Sequence, residues 1–189
     1  MKETITSKIL WNQAGRAGCI LALPPIAYTL LSGLLPGQGT SWAAGFALSA
    51  LSLVLWAAKF VGCILLMRWF LQKLVEEFDG VDNATTLRYG TRIALLSALI
   101  VAAFSLANIL FISPDAISAQ LEASREMLAP YMDANSLAGW DSVQDSLPTI
   151  MFFTNLVYCF LYGYILSLIL SRSIPPQDPF RTDRPSDLQ

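Results

Sequence analysis

The amino-acid sequence predicts an all-α, polytopic membrane protein with four transmembrane helices and an amphipathic helical loop on the outer, periplasmic side. Hydrophobic residues make up 54% of the 189 residues and charged residues only 14%, an apolar excess beyond the needs of a soluble core. Four apolar runs also reach the roughly 20 residues that a helix needs to cross a bilayer core about 30 Å thick. They occupy residues 17–35, 42–67, 93–112 and 147–170.

The basic residues beside these runs predict how the chain crosses the membrane. Lys and Arg near the ends of spans remain in the cytoplasm, whereas acidic residues have little influence on orientation. Ten basic residues fall on one side of the four runs: Lys2, Lys8, Arg16, Arg68, Lys73, Arg88, Arg92, Arg172, Arg181 and Arg184. The other side has Arg125 alone, in a segment with six acidic residues. We therefore expect both termini in the cytoplasm and the segment 113–146 outside.

The first run follows a basic segment, as the apolar core of a signal peptide does, but we interpret it as a retained membrane anchor. The sequence Pro36-Gly37-Gln38-Gly39 comes next. Proline ends a helix, and glycine adopts the unusual dihedral angles that a short reversal needs. We therefore expect a tight outer turn, with the first two helices as antiparallel neighbours.

The second helix is expected to continue beyond its apolar run into the cytoplasm. Apolar residues recur at helical spacing through residues 70–78, and Asp79-Gly80 then stops the helix. Asp82 or Asn83 can cap the third helix, which begins before its membrane portion. The result is a helical hairpin with a cytoplasmic tip.

The outer segment opens with Ser113-Pro114-Asp115, which combines an N-cap residue, a proline suited to the first helical turn and an early acid. Apolar residues then recur on one helical face, so an amphipathic helix should rest on the membrane surface or on other outer segments. Pro130 is expected to kink or end this helix. Trp140 suits an anchor at headgroup level before the fourth span.

These elements make one four-helix transmembrane domain, residues 1–172, whose outer loop is residues 113–146. Residues 173–189 are rich in proline and poor in core-forming side chains. We therefore expect this segment to be an extended or disordered cytoplasmic tail.

Lys59 is an ionisable residue well inside a predicted span, and no acid lies in any span to pair with it. It precedes Arg68 by nine residues, which places it about 13 Å from the cytoplasmic boundary in a regular helix. A cation at the centre of a bilayer costs from about 3 to more than roughly 10 kcal/mol, so such residues usually face other helices or water. Lys59 belongs to a small or polar stripe at helical spacing: Gly45, Ser49, Ser52, Trp56, Lys59 and Cys63.

Residues level with Lys59 on other helices suggest a candidate anion or lipid site formed by Lys59, Tyr162 and Tyr164. Pro24 and Pro25 lie at the same depth of the first helix. Because proline has no amide hydrogen, the carbonyls of the preceding turn are free to accept other hydrogen bonds. Lys59 is then either neutralised by these carbonyls and a tyrosine hydroxyl, or it binds an anionic lipid headgroup or a lipid-linked phosphate. The alternative is that its ammonium group extends along the helix to the inner headgroups.

The remaining polar residues of the spans fit structural roles. Asn108 and Asn155 are expected to make hydrogen bonds between helices. Cys19, Cys63 and Cys159 all lie in apolar runs without metal-binding spacing, so we expect them to serve in packing.

The sequence gives no support to an enzyme. It contains no histidine, no nucleophile motif and no phosphate-binding glycine loop. The acids of residues 76–82 face Arg88 and Arg92 across the hairpin and form either a catalytic cluster or, in our preferred interpretation, a solvated tip.

Four short motifs are spread along the chain: Met67-Arg68-Trp69-Phe70 at the end of the second span, Tyr89-Gly90-Thr91 before the third, Ser113-Pro114-Asp115 at the outer helix, and Pro175-Pro176 in the tail. In these motifs the chain resembles, over nearly its full length, a bacterial four-helix inner-membrane family catalogued as domain of unknown function four-one-nine-nine. The resemblance implies a multi-pass protein of the bacterial inner (cytoplasmic) membrane. It implies no activity or cofactor, and Lys59 is not part of the family pattern.

The sequence therefore predicts a non-enzymatic integral membrane accessory or assembly subunit. Its partners would be the lipid bilayer and either another membrane protein or a second copy in a homo-oligomer; we expect no cofactor, metal or nucleic acid. The alternative is a small oligomeric transporter or anionic-lipid-binding protein that uses Lys59. An internal water-filled cavity that reaches Lys59 would favour this alternative, whereas a dry four-helix bundle with an exposed apolar groove would favour the subunit.

Overall fold

The structure, a computed structural model, describes residues 3–4, 6–34, 42–79 and 81–174. The turn expected at residues 36–39 and the proline-rich tail beyond residue 174 lie outside the described residues. The described part of the chain is helical almost throughout, which confirms the all-α fold class.

The described residues form five α-helices: α1 (Ser7–Leu34), α2 (Trp42–Glu77), α3 (Asn83–Ala107), α4 (Pro114–Leu128) and α5 (Ala134–Ser173). A π-helical turn, Asn108–Ile112, extends α3, and a 3-10 turn, Ala129–Tyr131, follows α4. Within these ranges, four helical segments are long and apolar enough to cross a membrane: Ser7–Gly33, Phe46–Glu77, Asn83–Ile112 and Ser146–Ser173. The protein is therefore a multi-pass membrane protein, as its four apolar runs predict.

One end of the helices carries the basic residues that flank the spans, and we call it the basic end. It is defined by Arg16, Arg68, Arg92 and Arg172. At this end α2 continues without a break from its apolar run to Glu77, as predicted. The second and third spans are thus joined by a helical hairpin.

Asp82 caps α3 and is one of the two residues expected in this role. Its Oδ1 accepts a hydrogen bond from the Thr85 amide at 2.7 Å, and its backbone carbonyl accepts one from the Thr86 hydroxyl at 3.0 Å. Hydrogen bonds from the side chain and the amide of Thr85 lower the pKa of the Asp82 carboxyl below its ordinary value. The ionised carboxylate therefore satisfies amides that the first helical turn leaves free.

A short parallel pairing, which no sequence pattern predicts, joins the start of the chain to this hairpin. The two-residue strand β1 (Glu3–Thr4) pairs with β2 (Phe78–Asp79), with Glu3 opposite Phe78. Strands of two residues have neither the length nor the alternation by which a sequence reveals a strand. The pairing holds the N-terminal segment against the end of α2.

Helices α3 and α5 pack closely and run antiparallel through small residues. A Cβ atom added to Gly90 of α3 would overlap the side chain of Ser167 on α5, and one added to Gly163 would lie 2.7 Å from the Cβ of Ala94. Gly90 and Ala94 are four residues apart on α3, as Gly163 and Ser167 are on α5, so two small-residue pairs interlock. The stripe on α3 continues through further buried alanines at the same spacing, Ala98 and Ala102.

Helix α1 also packs against α3. A Cβ added to Gly18 would lie 2.9 Å from the Cβ of Leu96 and 3.3 Å from the amide nitrogen of Ser97. Ala14, one turn before Gly18, and the adjacent Ala17 are fully buried. Because both neighbours approach α3 across glycine and alanine, α3 is the helix around which α1 and α5 are arranged.

Helix α2 joins the others mainly at the basic end. Its Met67 and Leu71 are completely buried there. Towards the opposite end, none of the side chains of residues 46–58 is buried, and half of the Trp56 surface, 51%, is exposed. The half of α2 that lies away from the basic end, the outer half in the predicted orientation, is therefore a largely uncovered apolar surface.

The segment between the third and fourth spans begins as predicted. Pro114 lies in the first turn of α4, and the 3-10 turn that contains Pro130 ends the helix. Ser113 occupies the N-cap position but makes no capping hydrogen bond through its side chain. Ile117 and Leu121 are half-buried on one face, which agrees with an amphipathic helix.

Helix α5 begins much earlier than the predicted start of the fourth span at residue 147. It starts at Ala134 and contains Trp140, a half-buried residue, and Pro148. The first turns of α5 are not continuously apolar, so a search for apolar runs does not detect them.

Candidate anion site at Lys59

A cavity of about 60 Å³ lies between the four spanning helices, at the depth of Lys59. Its lining comes from α1, α2, α3 and α5 and consists of Leu21, Pro25, Lys59, Phe60, Cys63, Ala94, Ser97, Val101, Tyr158, Cys159, Tyr162, Gly163 and Leu166. Among these described residues, Lys59 is the only one that carries a formal charge. The cavity is therefore an apolar space with a single cation in its wall.

Two aromatic rings hold the ammonium group of Lys59. Its Nζ lies 4.6 Å from the ring centroid of Tyr28 on α1 and 4.7 Å from that of Phe60 on α2. Such cation–π contacts contribute about 0.5–2 kcal/mol, more when water is excluded. An ammonium group has three N–H donors, however, and a ring face is a weak acceptor, so the charge is only partly compensated.

Tyr162 of α5 lines the same cavity as Lys59. Its ring centroid lies 5.2 Å from that of Phe60 in an edge-to-face contact. Phe60 in turn contacts Trp56 at 4.6 Å. The Tyr162 hydroxyl is buried and has no hydrogen-bond partner among the described residues. A hydroxyl donor without a partner thus belongs to a residue that lines the same cavity as Lys59.

Tyr164 does not face the cavity that Lys59 and Tyr162 line. Its side chain is 36% exposed and stacks on Phe160, with 6.2 Å between ring centroids, and it is not part of the cavity lining. Residues two apart on a helix differ by about 200° in direction, so Tyr162 and Tyr164 cannot both face one cavity. The candidate site therefore keeps Lys59 and Tyr162 and takes Tyr28 and Phe60 in place of Tyr164.

The prolines of α1 do lie beside the site. Pro25 lines the cavity, and Pro24 approaches Gly62 of α2, where an added Cβ would lie 3.8 Å away. The contacts that the described residues give Lys59 are nevertheless with rings, and not with the backbone carbonyls expected below the prolines. The ring faces of Tyr28 and Phe60, and not backbone carbonyls, therefore contact the ammonium group.

Neighbouring helices cover only some residues of the expected small and polar stripe of α2. Cys63 is buried and lines the cavity, and Ser52 and Lys59 are half-buried. Trp56 and Ser49 are exposed. The stripe therefore faces neighbouring helices where α2 meets them and faces outward where α2 is uncovered.

The three cysteines differ in their surroundings. Cys63 and Cys159 both line the cavity from facing helices, whereas Cys19 on α1 is exposed. All three are free thiols. A packing role thus fits Cys63 and Cys159 better than Cys19.

Asn155 makes the hydrogen bond between helices that its position predicts. Its Nδ2 donates to the Ser105 hydroxyl of α3 at 2.9 Å. Asn108 instead begins the π-helical turn, where its carbonyl accepts a hydrogen bond from the Ser113 amide at 2.9 Å.

The basic end contains a second cation beside an aromatic ring. The guanidinium carbon of Arg92 lies 4.9 Å from the ring centroid of Trp11, and Nη1 is buried without a partner among the described residues. Glu76 and Glu77 are exposed, which favours a solvated hairpin tip over a catalytic cluster.

Two sequence patterns that a search for apolar runs does not use correspond to features of the site. Trp56 and Phe60 are four residues apart, a spacing that brings aromatic side chains together on a helix. The residues Gly90, Ala94, Ala98 and Ala102 repeat at intervals of four, which indicates a close helix contact. That contact fixes α3 against α5 and so shapes the far wall of the cavity.

The fold and the site define a multi-pass helical membrane protein with a lone cation in a cavity between its spans. A family model described as "Protein of unknown function (DUF4199)" matches residues 16–172, and the chain belongs to that family. This confirms the resemblance seen in the sequence motifs. The matched region includes every residue of the cavity. Comparison with the curated proteins and with the solved structures finds no match.

Proposed function

We propose that this protein is a non-enzymatic membrane protein that binds the anionic group of a lipid, a headgroup or a lipid-linked phosphate, at Lys59. The observation that carries the proposal is the cavity between the four spanning helices with Lys59 as the single charge in its described lining. A cavity that reaches Lys59 is the feature by which a binding protein differs from a simple packing subunit.

The energetics favour an anionic ligand. Placing a cation within a bilayer costs from about 3 to more than roughly 10 kcal/mol. The rings of Tyr28 and Phe60 offset part of this cost, but they do not satisfy the N–H donors. An anionic group accepts hydrogen bonds from the ammonium and from the free Tyr162 hydroxyl, and charge-assisted bonds of this kind are the strong ones.

The surroundings of the cavity also favour entry from the bilayer. Lys59 is half-buried, and Tyr158, which is 55% exposed, forms part of the lining. The outer half of α2 is uncovered beside it. A space of about 60 Å³ suits the holding of a small group better than the passage of a solute, so binding is preferred to transport.

The proposal includes an orientation. With the basic end in the cytoplasm, Lys59 lies about 13 Å from the inner boundary, and Tyr158 and the uncovered half of α2 lie on its outer side. The bacterial inner membrane, with both termini cytoplasmic, is the location that this charge pattern supports.

Native mass spectrometry of the purified protein tests the binding. The protein is released from micelles that contain dioleoylphosphatidylglycerol or dioleoylphosphatidylcholine, and bound lipid is counted. We expect preferential retention of the anionic lipid and a loss of about tenfold in Lys59→Met, because a hydrogen bond to a charged group contributes about 1.5–3 kcal/mol and about 1.4 kcal/mol is tenfold in affinity. Arg68→Gln, which removes a charge from the same helix outside the cavity, is the matched control. Equal retention in Lys59→Met and the parent would overturn the proposal.

A second candidate, an accessory or assembly subunit, is favoured by the uncovered outer half of α2. Small and aromatic side chains on a transmembrane helix suit contact with another helix. Copurification in mild detergent tests it: a second chain, or a second copy of this one, should be present and should be lost when Ala57 and Ala58, both exposed on α2, are replaced by leucine. A monomer with no companion chain would contradict this candidate.

A further inference from the structure

A groove of about 270 Å³ lies between α1, α2 and the first turns of α3, which contribute Tyr89, at the basic end and apart from the Lys59 cavity. Two cations line it from different helices, Arg16 from α1 and Lys73 from α2, and Gln13 adds an amide between them and the start of the chain. Leu74 is buried and contributes an apolar surface to the lining. The groove therefore presents two positively charged side chains beside an apolar surface.

The groove lies where the apolar spans end. Arg16 immediately precedes the first apolar run, and Trp69 follows the end of the second by two residues. Trp69 also lines the groove and is 52% exposed, and the Nζ of Lys73 lies 5.3 Å from its ring centroid. Tryptophan prefers the headgroup level of a bilayer, where basic side chains meet lipid phosphates. The groove is thus at the depth of lipid headgroups.

We infer that this groove binds the phosphate of an anionic phospholipid, with Arg16 and Lys73 as its ligands. Arginine offers a planar fork of N–H donors to phosphate oxygens, and lysine adds a mobile point charge. Ile20, 41% exposed in the same lining, continues towards the span and offers an apolar surface to an acyl chain. The site does not depend on Lys59, and either site can exist without the other.

Glu77 is the one acid among the described residues that line the groove. It follows Lys73 by four residues on α2 and is exposed. The lining therefore retains a net positive charge from Arg16 and Lys73. Neutralising Glu77 should strengthen binding of a phosphate, because it removes a repulsive charge from the lining.

The test counts lipids bound to the full-length protein in nanodiscs of phosphatidylcholine that contain a small fraction of phosphatidylglycerol. Enrichment of the anionic lipid around the protein is measured for the parent, Arg16→Gln, Lys73→Gln and the double variant. Removing each cation should weaken the enrichment about fivefold. Arg68→Gln is the matched control, since Arg68 is an exposed cation five residues before Lys73 on α2 that does not line the groove. Repeating the series in Lys59→Met separates this groove from the intramembrane site.

A second arm distinguishes a lipid from a soluble anion. Inorganic phosphate is added to nanodiscs of phosphatidylcholine alone, and its binding is followed by the fluorescence of Trp69 in a variant that retains only this tryptophan. A lipid site gives anionic-lipid enrichment that Glu77→Gln increases, and millimolar phosphate causes no saturable change in the fluorescence of Trp69. Enrichment that is unchanged in the double variant, or reduced equally by Arg68→Gln, would overturn the inference. Saturable binding of inorganic phosphate with no lipid enrichment would also overturn it.

In both arms, the melting temperatures of the variants are measured to confirm that each variant is folded.

Discussion

The side chain of Ser167 on α5 lies directly against the backbone of Gly90 on α3, so that residue 90 has no room for a side chain. Ser167 is completely buried, and its hydroxyl has no hydrogen-bond partner among the described residues. Ser167 and Gly90 are thus held in van der Waals contact and not by a hydrogen bond of the Ser167 hydroxyl. It brings α3 and α5 together beneath the Lys59 cavity, whose lining includes the next small pair, Ala94 and Gly163.

Replacing Gly90 with alanine should destabilise the protein because the new Cβ overlaps Ser167. Overpacking of this kind costs about 1–3 kcal/mol. Thermal unfolding of the purified protein in detergent measures the loss. Gly15→Ala is the matched control, since nothing lies within 4 Å of a Cβ added at Gly15, and it should be neutral or slightly stabilising. Ser167→Gly should restore much of the stability of Gly90→Ala, and a failure of this rescue would contradict the assigned contact.

The hydrogen bond between Asn155 and Ser105 should contribute modestly to the same helix pair. Bonds of this type between transmembrane helices contribute about 0.6 kcal/mol on average and up to about 2 kcal/mol. A double-mutant cycle with Asn155→Ala and Ser105→Ala, followed by unfolding in a denaturing detergent, isolates this coupling. Additive effects of the two substitutions would show that the bond does not stabilise the folded protein.

The Asp82 cap should give a contribution to stability that depends on pH. The pKa of Asp82 is lower in the folded protein than in the unfolded chain, so its contribution is present above the unfolded pKa of about 4 and is lost as the pH falls through the folded pKa. Asp82→Ala should cost about 1 kcal/mol at pH 7 and less at pH 3. Melting temperatures of parent and variant across this range give the difference. Asp82→Asn is the control that retains a capping acceptor without the charge. A difference in melting temperature between the parent and Asp82→Ala that stays the same from pH 7 to pH 3 would contradict this account.

The charge pattern predicts that the basic end lies in the cytoplasm. Green fluorescent protein attached after Gln189 should therefore fluoresce, and alkaline phosphatase at that position should be inactive. Alkaline phosphatase inserted after Tyr131, in the segment between the third and fourth spans, should be active. The reverse pattern of activities would show that the basic residues do not determine orientation here.

The long helices could be predicted from the sequence because each depends on local features. An apolar run of about 20 residues is sufficient to identify a span, and Asp82 and Pro114 mark helix starts by their own side-chain chemistry. The early start of α5 at Ala134 could not be predicted in this way, since its first turns have no uninterrupted apolar run. The pairing of Glu3–Thr4 with Phe78–Asp79 joins distant residues, and no local pattern specifies it.

The sequence predicts only some of the residues around Lys59, and the reason is geometric. Counting residues from the charged ends of the spans gives the depth of each residue in the membrane, and this placed Lys59 level with Tyr162. Depth does not give the direction in which a helix faces, so it predicts Tyr164 as readily as Tyr162 and does not identify Tyr28. The direction is determined by contacts such as that of Gly90 with Ser167, which only the folded chain reveals.

The most direct test of an anion at Lys59 uses Trp56, whose ring contacts Phe60 beside the ammonium group. A variant that retains only this tryptophan is placed in vesicles with a small fraction of brominated phosphatidylglycerol or brominated phosphatidylcholine, and fluorescence quenching is compared. The account predicts stronger quenching by the anionic lipid, and equal quenching by the two lipids once Lys59 is replaced by methionine. Equal quenching by both lipids with Lys59 in place would contradict it.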